Sequence, residues 1–179
     1  MSNAVPPHRP PRVTRAVGQV MTTTDILNRI QRGLAGYVSY LAACDMNPAF
    51  SEYILYEPIL RILTAQGFAV SCEYACPGQP NRRTGDKKRI DFRADKNGLT
   101  IAIEVKWAKR RRIETTADGN KLRAIRQHTP SAICYLCVFG RKSIIENIDV
   151  PKRDFYETVK AVYAEFGKTR YGCRMFTLR

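Results

Sequence analysis

The chain has 179 residues, enough for about one domain, and its 44% hydrophobic content is ordinary for a globular protein with a sizeable core. No apolar run approaches the ~18–20 residues of a membrane span, and no apolar signal-peptide core stands near the start, so the expectation is a cytoplasmic protein with no membrane segment. The formal net charge of +14 is out of the ordinary and implies a polyanionic partner, nucleic acid before an acidic membrane surface.

Residues 1–20 hold Pro6, Pro7, Pro10 and Pro11 with His8, Arg9, Arg12 and Arg15 and no acid. They predict a flexible basic arm, able to touch phosphate or serving merely as a tail. A single domain over 21–179 follows, with its core at about 51–140. Thr22-Thr23-Thr24-Asp25 supplies N-cap chemistry for a helix to about Cys44. Leu27, Ile30, Leu34, Tyr37, Val38 and Leu41 recur at helical spacing, although Gly33 and Gly36 interrupt the pattern. This helix is expected to be a packing helix outside the catalytic core. After the break at Asn47-Pro48, a second helix runs from about Ser51 to Gln66, with Leu55, Ile59, Ile62 and Leu63 inward. Pro58 marks a kink or a late start, and Gly67 ends the helix. Phe68–Tyr74 reads as a strand and Pro77-Gly78-Gln79-Pro80-Asn81 as a loop.

Residues 89–107 read as a β-hairpin. Ile90 and Phe92 lie in its first strand, and Asp95-Lys96-Asn97-Gly98 is a turn rich in residues that accept positive φ. Leu99, Ile101, Ile103 and Val105 then alternate with Thr100, Ala102, Glu104 and Lys106. Such a strand, mostly apolar on both faces, suits the middle of a sheet. Yet it ends in Glu104-Val105-Lys106, and charges there are costly unless paired or metal-bound. Glu104 and Lys106, two apart, share one face at ~7 Å, while Val105 points into the core. Asp91 lies beside Glu104 if the hairpin register permits. Two carboxylates and a lysine suit Mg²⁺, which takes hard oxygen ligands and keeps several waters; the lysine would orient or help deprotonate one of them. The plainer alternative is a solvated strand end where Glu104 and Lys106 pair with each other.

The basic residues cluster around this hairpin. Residues 82–112 hold twelve basic and four acidic side chains, a net of +8. Arg82, Arg83, Lys87, Lys88, Lys109, Arg110, Arg111 and Arg112 are therefore candidates for a phosphate-tracking surface. Trp107 could stack on a base, but a core role is favoured. Asp118 is expected to cap a helix to about His128. Ile133–Phe139 reads as a buried strand ended by Gly140, Pro151 as the start of an amphipathic helix to Phe166, and 171–179 as a short edge strand. Of the six cysteines, Cys134 and Cys137 have metal-ligand spacing but fall on opposite faces of a strand. Reduced, mostly buried thiols are favoured over structural zinc.

Asp91, twelve intervening residues and Glu104-Val105-Lys106 together resemble the PD-(D/E)xK nuclease superfamily, with Ile90-Asp91 where Pro-Asp is usual. The central α-β-β-β-α-β order is similar to that family's restriction-endonuclease-like core, a mixed sheet flanked by helices. Here it would carry an extra N-terminal helix and a C-terminal helix. The resemblance implies an α/β fold and a Mg²⁺-dependent DNA endonuclease, with Mn²⁺ a substitute cofactor. Asp91, Glu104 and the Val105 carbonyl would hold the metal, and Lys106 would position the attacking water. It also implies a third carboxylate on the preceding helix. Glu52, at the end of the inward stripe, is preferred over Glu57, which has Arg61 for an ion pair. Lys121 or Gln127, on the helix after the hairpin, would add a polar group near the site, Lys121 also counting among the nucleic-acid contacts. A binding module without catalysis, RNA in place of DNA, and a homodimer stay open.

Overall fold

The predicted hairpin forms, and the sheet grows outward from it. The computed structural model describes residues 22–46, 51–80, 85–166 and 169–179. The proline-rich arm, the Asn47-Pro48 break, and Arg82 and Arg83 lie outside them. Helix α1 spans Thr23–Ala43, a 3₁₀ turn Glu52–Leu55, and helix α2 Tyr56–Ala65. Strands β1 (Ala69–Pro80), β2 (Lys87–Lys96) and β3 (Leu99–Ala108) lead to helix α3 (Thr116–His128) and strand β4 (Ile133–Arg141). A short helix α4 (Lys142–Ile145) and strands β5 (Phe155–Glu157), β6 (Val162–Phe166) and β7 (Thr169–Leu178) complete the order. The seven strands form one mixed sheet in the order β1-β2-β3-β4-β7-β5, with β6 also paired to β7. All pairs are antiparallel except β3 with β4, which α3 connects as a parallel crossover.

The sheet separates two apolar layers. Ile26, Leu27, Ile30, Leu34, Ile59 and Leu63 of α1 and α2 pack on one face with Phe92, Ile103 and Val105. Leu122 and Ile125 of α3 pack on the other with Ile90, Ala102 and Leu136. Strand β3 feeds both layers, hence its apolar run. Helix α1 begins with a capping box: Asp25 N donates to Thr22 Oγ1 at 3.2 Å, and Thr22 N donates to Asp25 Oδ2 at 3.1 Å. Gly33 is a helix contact rather than a defect. A Cβ there would stand 2.6 Å from Ile62 Cδ1 of α2. Pro58 sits in the first turn of α2, where its missing N–H is harmless, so it marks a late start after the 3₁₀ turn. The hairpin turn has Asn97 at φ 48° and Gly98 at φ 80°, as the Asn-Gly pair requires.

Five expectations need correction. Strand β1 continues through Pro77–Pro80, with a register shift between Ala75 and Pro80, where a loop was expected. Gly140 does not end β4; it pairs with Ala108, where a Cβ would meet the Ala108 carbonyl oxygen at 2.6 Å. Asp118 lies inside the first turn of α3 rather than capping it, because Thr115 is the N-cap residue and its side chain makes no capping bond. The C-terminal helix is absent. Residues 155–157 and 162–166 are strands, because Phe155 and Val159 pack into opposite layers of the sheet, which no single helix face allows. The last segment is no short edge strand either. Strand β7 has ten residues and lies between β4 and the β5 and β6 pairings. All six cysteines are free thiols, four of them buried, and Cys134 and Cys137 do lie in opposite layers. No helix among the described residues is long and apolar enough to cross a membrane.

Candidate functional site

The site arises where β2 and β3 part. Their ladder runs from Lys96 opposite Leu99 to Phe92 opposite Ile103, so the same register carries Asp91 toward Glu104. There the strand changes sides: Ile90 packs in the α3 layer and Phe92 in the α1–α2 layer. On the neighbouring strand Glu73 has φ 52°, a left-handed conformation that a non-glycine residue adopts at a cost of order 1–3 kcal/mol. In the gap, Asp91 Oδ2 accepts from Val105 N at 2.6 Å. A side-chain carboxylate thus satisfies a backbone donor of β3.

Val105 is buried in the α1–α2 layer, so Glu104 and Lys106 share the other face as predicted, and that face is the one α3 covers. They do not pair with each other. The Lys106 ammonium donates to Asp118 Oδ2 at 2.6 Å, and the Lys121 ammonium donates to Glu104 Oε1. Lys121 also stands 3.8 Å from Asp118 Oδ1. Asp118 and Lys121, three apart, present one edge of α3 to the end of β3. Glu104 is only 4% exposed, and its second oxygen, Oε2, is buried with no hydrogen-bond partner. Burial pushes the Glu104 carboxyl up to about 9; the Asp91 charge adds to this and Lys121 opposes it. For Lys121, burial works against the ammonium, but the charge and hydrogen bond of Glu104, then Asp118 and Asp91, leave it above the ordinary lysine value.

Asp91 is half-buried. Burial raises its pKa, against hydrogen bonds from Tyr56 and the Val105 N–H that lower it. The Tyr56 hydroxyl touches both Asp91 Oδ1 and, at 2.7 Å, Glu73 Oε1. One phenol proton serves one carboxylate only, so the two acids still repel: the Glu73 charge pushes Asp91 further up, and the Lys121 charge opposes it. Burial, then the bonds to Asp91 and Glu73, raise the Tyr56 phenol above its usual range. Asp91, Glu73, Glu104, Lys106, Asp118 and Lys121 line an open cleft of about 610 Å³, together with Glu52, Tyr53, Lys87, Lys88 and Arg89. Glu52 Oε1 accepts from Trp107 N at 2.8 Å, which ties the 3₁₀ turn to the end of β3.

Glu52, Asp91, Glu104, Val105, Lys106, Lys87, Lys88 and Lys121 all meet in this cleft. Lys121 is engaged by a buried carboxylate rather than displayed to solvent, its side chain being 16% exposed. Lys109, Arg110, Arg111 and Arg112 are exposed but do not line the cleft; Asp149 N donates to Arg111 O at 2.9 Å there. Glu57 forms a surface ion pair with Arg61 at 2.8 Å. Gln127 is exposed and outside the cleft lining. Trp107 packs edge-on against Phe139 with ring centroids 5.0 Å apart, a core role. Sequence reasoning missed Tyr56, Glu73 and Asp118. Only Asp118 carried a signal, since it stands three residues before Lys121 on the helix nearest the strand end.

The donor set suits a hard divalent cation, because Asp91 and Glu104 offer carboxylate oxygens and Glu104 Oε2 is a buried acceptor without a donor. Among the described residues no three His, Cys, Asp or Glu side chains already form a metal-binding group. Magnesium needs only one or two carboxylates beside its waters. No protein-family model, curated protein or solved structure matches the chain.

Proposed function

We propose that the chain is a metal-dependent nuclease of PD-(D/E)xK type that hydrolyses DNA phosphodiester bonds. The observation that carries this reading is the orphaned, buried Oε2 of Glu104, a residue that lines one cleft with Asp91 and Lys106. The β1-β2-β3-α3-β4 order, with β3 and β4 parallel and helices on both faces, supports a restriction-endonuclease-like core. The net charge of +14 supports DNA as the partner.

Asp91 and Glu104 would hold Mg²⁺ or Mn²⁺, with the Val105 carbonyl and Glu52 as further oxygen donors. When bound, such an ion polarises the phosphoryl oxygen and lowers the pKa of a coordinated water. Tyr56 and the Val105 N–H orient the Asp91 carboxylate, and Asp118 holds Lys106 at the cleft wall. The Lys106 ammonium orients the attacking water and offsets charge building on the phosphate. Lys87 and Lys88, on the cleft lining, supply phosphate contacts.

A second reading, a nucleic-acid-binding module without catalysis, is favoured by the Lys121–Glu104 pair, which puts a fixed cation on a proposed metal ligand. The test is incubation with plasmid, single-stranded and branched DNA and Mg²⁺ or Mn²⁺. Asp91→Asn, Glu104→Gln and Lys106→Ala should each abolish cleavage and leave DNA affinity within about threefold, since affinity comes from the surrounding cations. Binding without cleavage by the wild type would select the second reading. Cleavage that survives both Glu104→Gln and Lys106→Ala would remove the site.

A further inference from the structure

Tyr53 is the most exposed of the large apolar side chains described, at 72%, and it lines the carboxylate cleft. An exposed aromatic ring is ordinarily just surface. Here three features set it apart. Its backbone belongs to the 3₁₀ turn that Glu52 ties to Trp107 N, so its position is fixed relative to Glu104 and Lys106. Its ring leans on Tyr56 at 5.4 Å and 55°, and Tyr56 leans on the fully buried Phe92 at 4.8 Å and 57°. The two ring contacts connect buried Phe92 through Tyr56 to Tyr53 on the cleft lining, and that support reduces the freedom Tyr53 would lose on binding a ligand. Lys87, Lys88 and Arg89 line the same cleft, so an aromatic face is combined with cations for phosphate.

Aromatic rings beside a cationic groove are what unpaired strands bind, because every base has a π-face. In an intact duplex, both faces of a base are already covered by its neighbours, and a protein ring can reach one only when the base is unpaired or extruded. We propose that Tyr53 is a stacking platform for an unpaired DNA base, so that the cleft takes a single-stranded or frayed nucleotide rather than an intact duplex step. This rests on the reading of the cleft as a DNA site, though not on its cleavage activity.

The test measures binding without cleavage, in EDTA. Oligonucleotides carrying 2-aminopurine are titrated with wild-type protein, Tyr53→Ala and Tyr53→Phe, as single strands and as duplexes of the same sequence. Wild type should quench the probe in the single strand and bind that strand at least about fivefold tighter than the duplex. Tyr53→Ala should lose the quenching and weaken single-strand binding about tenfold, while Tyr53→Phe, which keeps the ring, retains both. Equal losses on strand and duplex, or quenching that persists in Tyr53→Ala, would overturn the platform. Cleavage by the wild type alongside either of those outcomes would leave the nuclease reading intact. The expected stacking in a protein that cuts no DNA would do the opposite.

Discussion

Asp118 Oδ2 accepts a hydrogen bond from the Lys106 ammonium at 2.6 Å, and the same carboxylate lies 3.8 Å from Lys121. It is 6% exposed as a residue, so the bond is sheltered from water. A flexible lysine at a strand end gains a fixed position from this contact. Asp118→Asn keeps an oxygen at the site but removes the charge that holds the ammonium. The expected result is a fall in single-turnover cleavage of about ten- to a hundredfold, with DNA Kd within about twofold. A matching loss in Kd would show that Asp118 shapes the DNA surface rather than Lys106.

The Glu104 carboxyl gives the metal-free protein a definite pH dependence. Its folded pKa is about 9 against an ordinary 4.5, raised first by burial and then by Asp91. Between those values the folded state binds the proton and the unfolded state does not, so stability falls as pH rises. Asp91, also shifted upward, adds the same sign. Lys121 is shifted above its ordinary 10.5, so its contribution is constant over this window and fades only at higher pH. Denaturant titrations in EDTA from about pH 5 to pH 9 should therefore show wild type losing stability relative to Glu104→Gln. Added Mg²⁺ should recover more stability at the alkaline end, where less proton must be displaced. A wild-type advantage that grows with pH in EDTA would contradict this account of Glu104.

The hairpin was legible because its signals are local. Asn97-Gly98 dictates the turn, and the apolar run of β3 reflects two layers packing on one strand. Asp91, Glu104 and Lys106 could therefore be brought together from spacing alone. Tyr56, Glu73 and Asp118 could not, because their roles depend on where α2, β1 and α3 dock across the sheet. The C-terminal error has the same origin. Phe155, Val159, Val162 and Tyr163 follow helical spacing, yet β7 offers a free edge on which 155–157 and 162–166 both pair. Phe155 then packs beneath α3 and Val159 in the opposite layer, a division that spacing does not reveal. Gly33 and Gly140 read as interruptions in the sequence and prove to be points of close approach.

Arg110, Arg111 and Arg112 are exposed beyond the end of β3 and outside the cleft lining. They can act on DNA only if it extends past the cleft along that end of the sheet. Replacing all three with Gln should then weaken binding to every sequence alike and lower the salt slope by about 2–3, at ~0.9 per lost phosphate contact. Filter binding across a salt series measures it. An unchanged slope would assign the run to solvent and leave Lys87 and Lys88 as the phosphate contacts.

Glu52 and Glu57 differ in what holds them. Glu57 pairs with Arg61 on the surface and accepts from Tyr37 at 3.4 Å, so its charge is used away from the cleft. Glu52 lines the cleft with Asp91 and Glu104, held there by Trp107 N. Glu52→Gln is informative because the amide keeps a carbonyl oxygen that can accept from Trp107 N. The turn, and Tyr53 on it, should stay in place while the negative charge is lost. A third carboxylate near the metal would then be missing without a change in fold. Glu52→Gln should cut the Mg²⁺-dependent rate at least about tenfold, the scale of losing one partner of a metal site, while Glu57→Gln should leave it nearly unchanged. Side-by-side rates at saturating and limiting Mg²⁺ provide the measurement, and the deficit of Glu52→Gln should narrow as Mg²⁺ is raised if the carboxylate serves the metal. The reverse ranking of the two variants would mean that Glu52 serves only to fasten the 3₁₀ turn to β3.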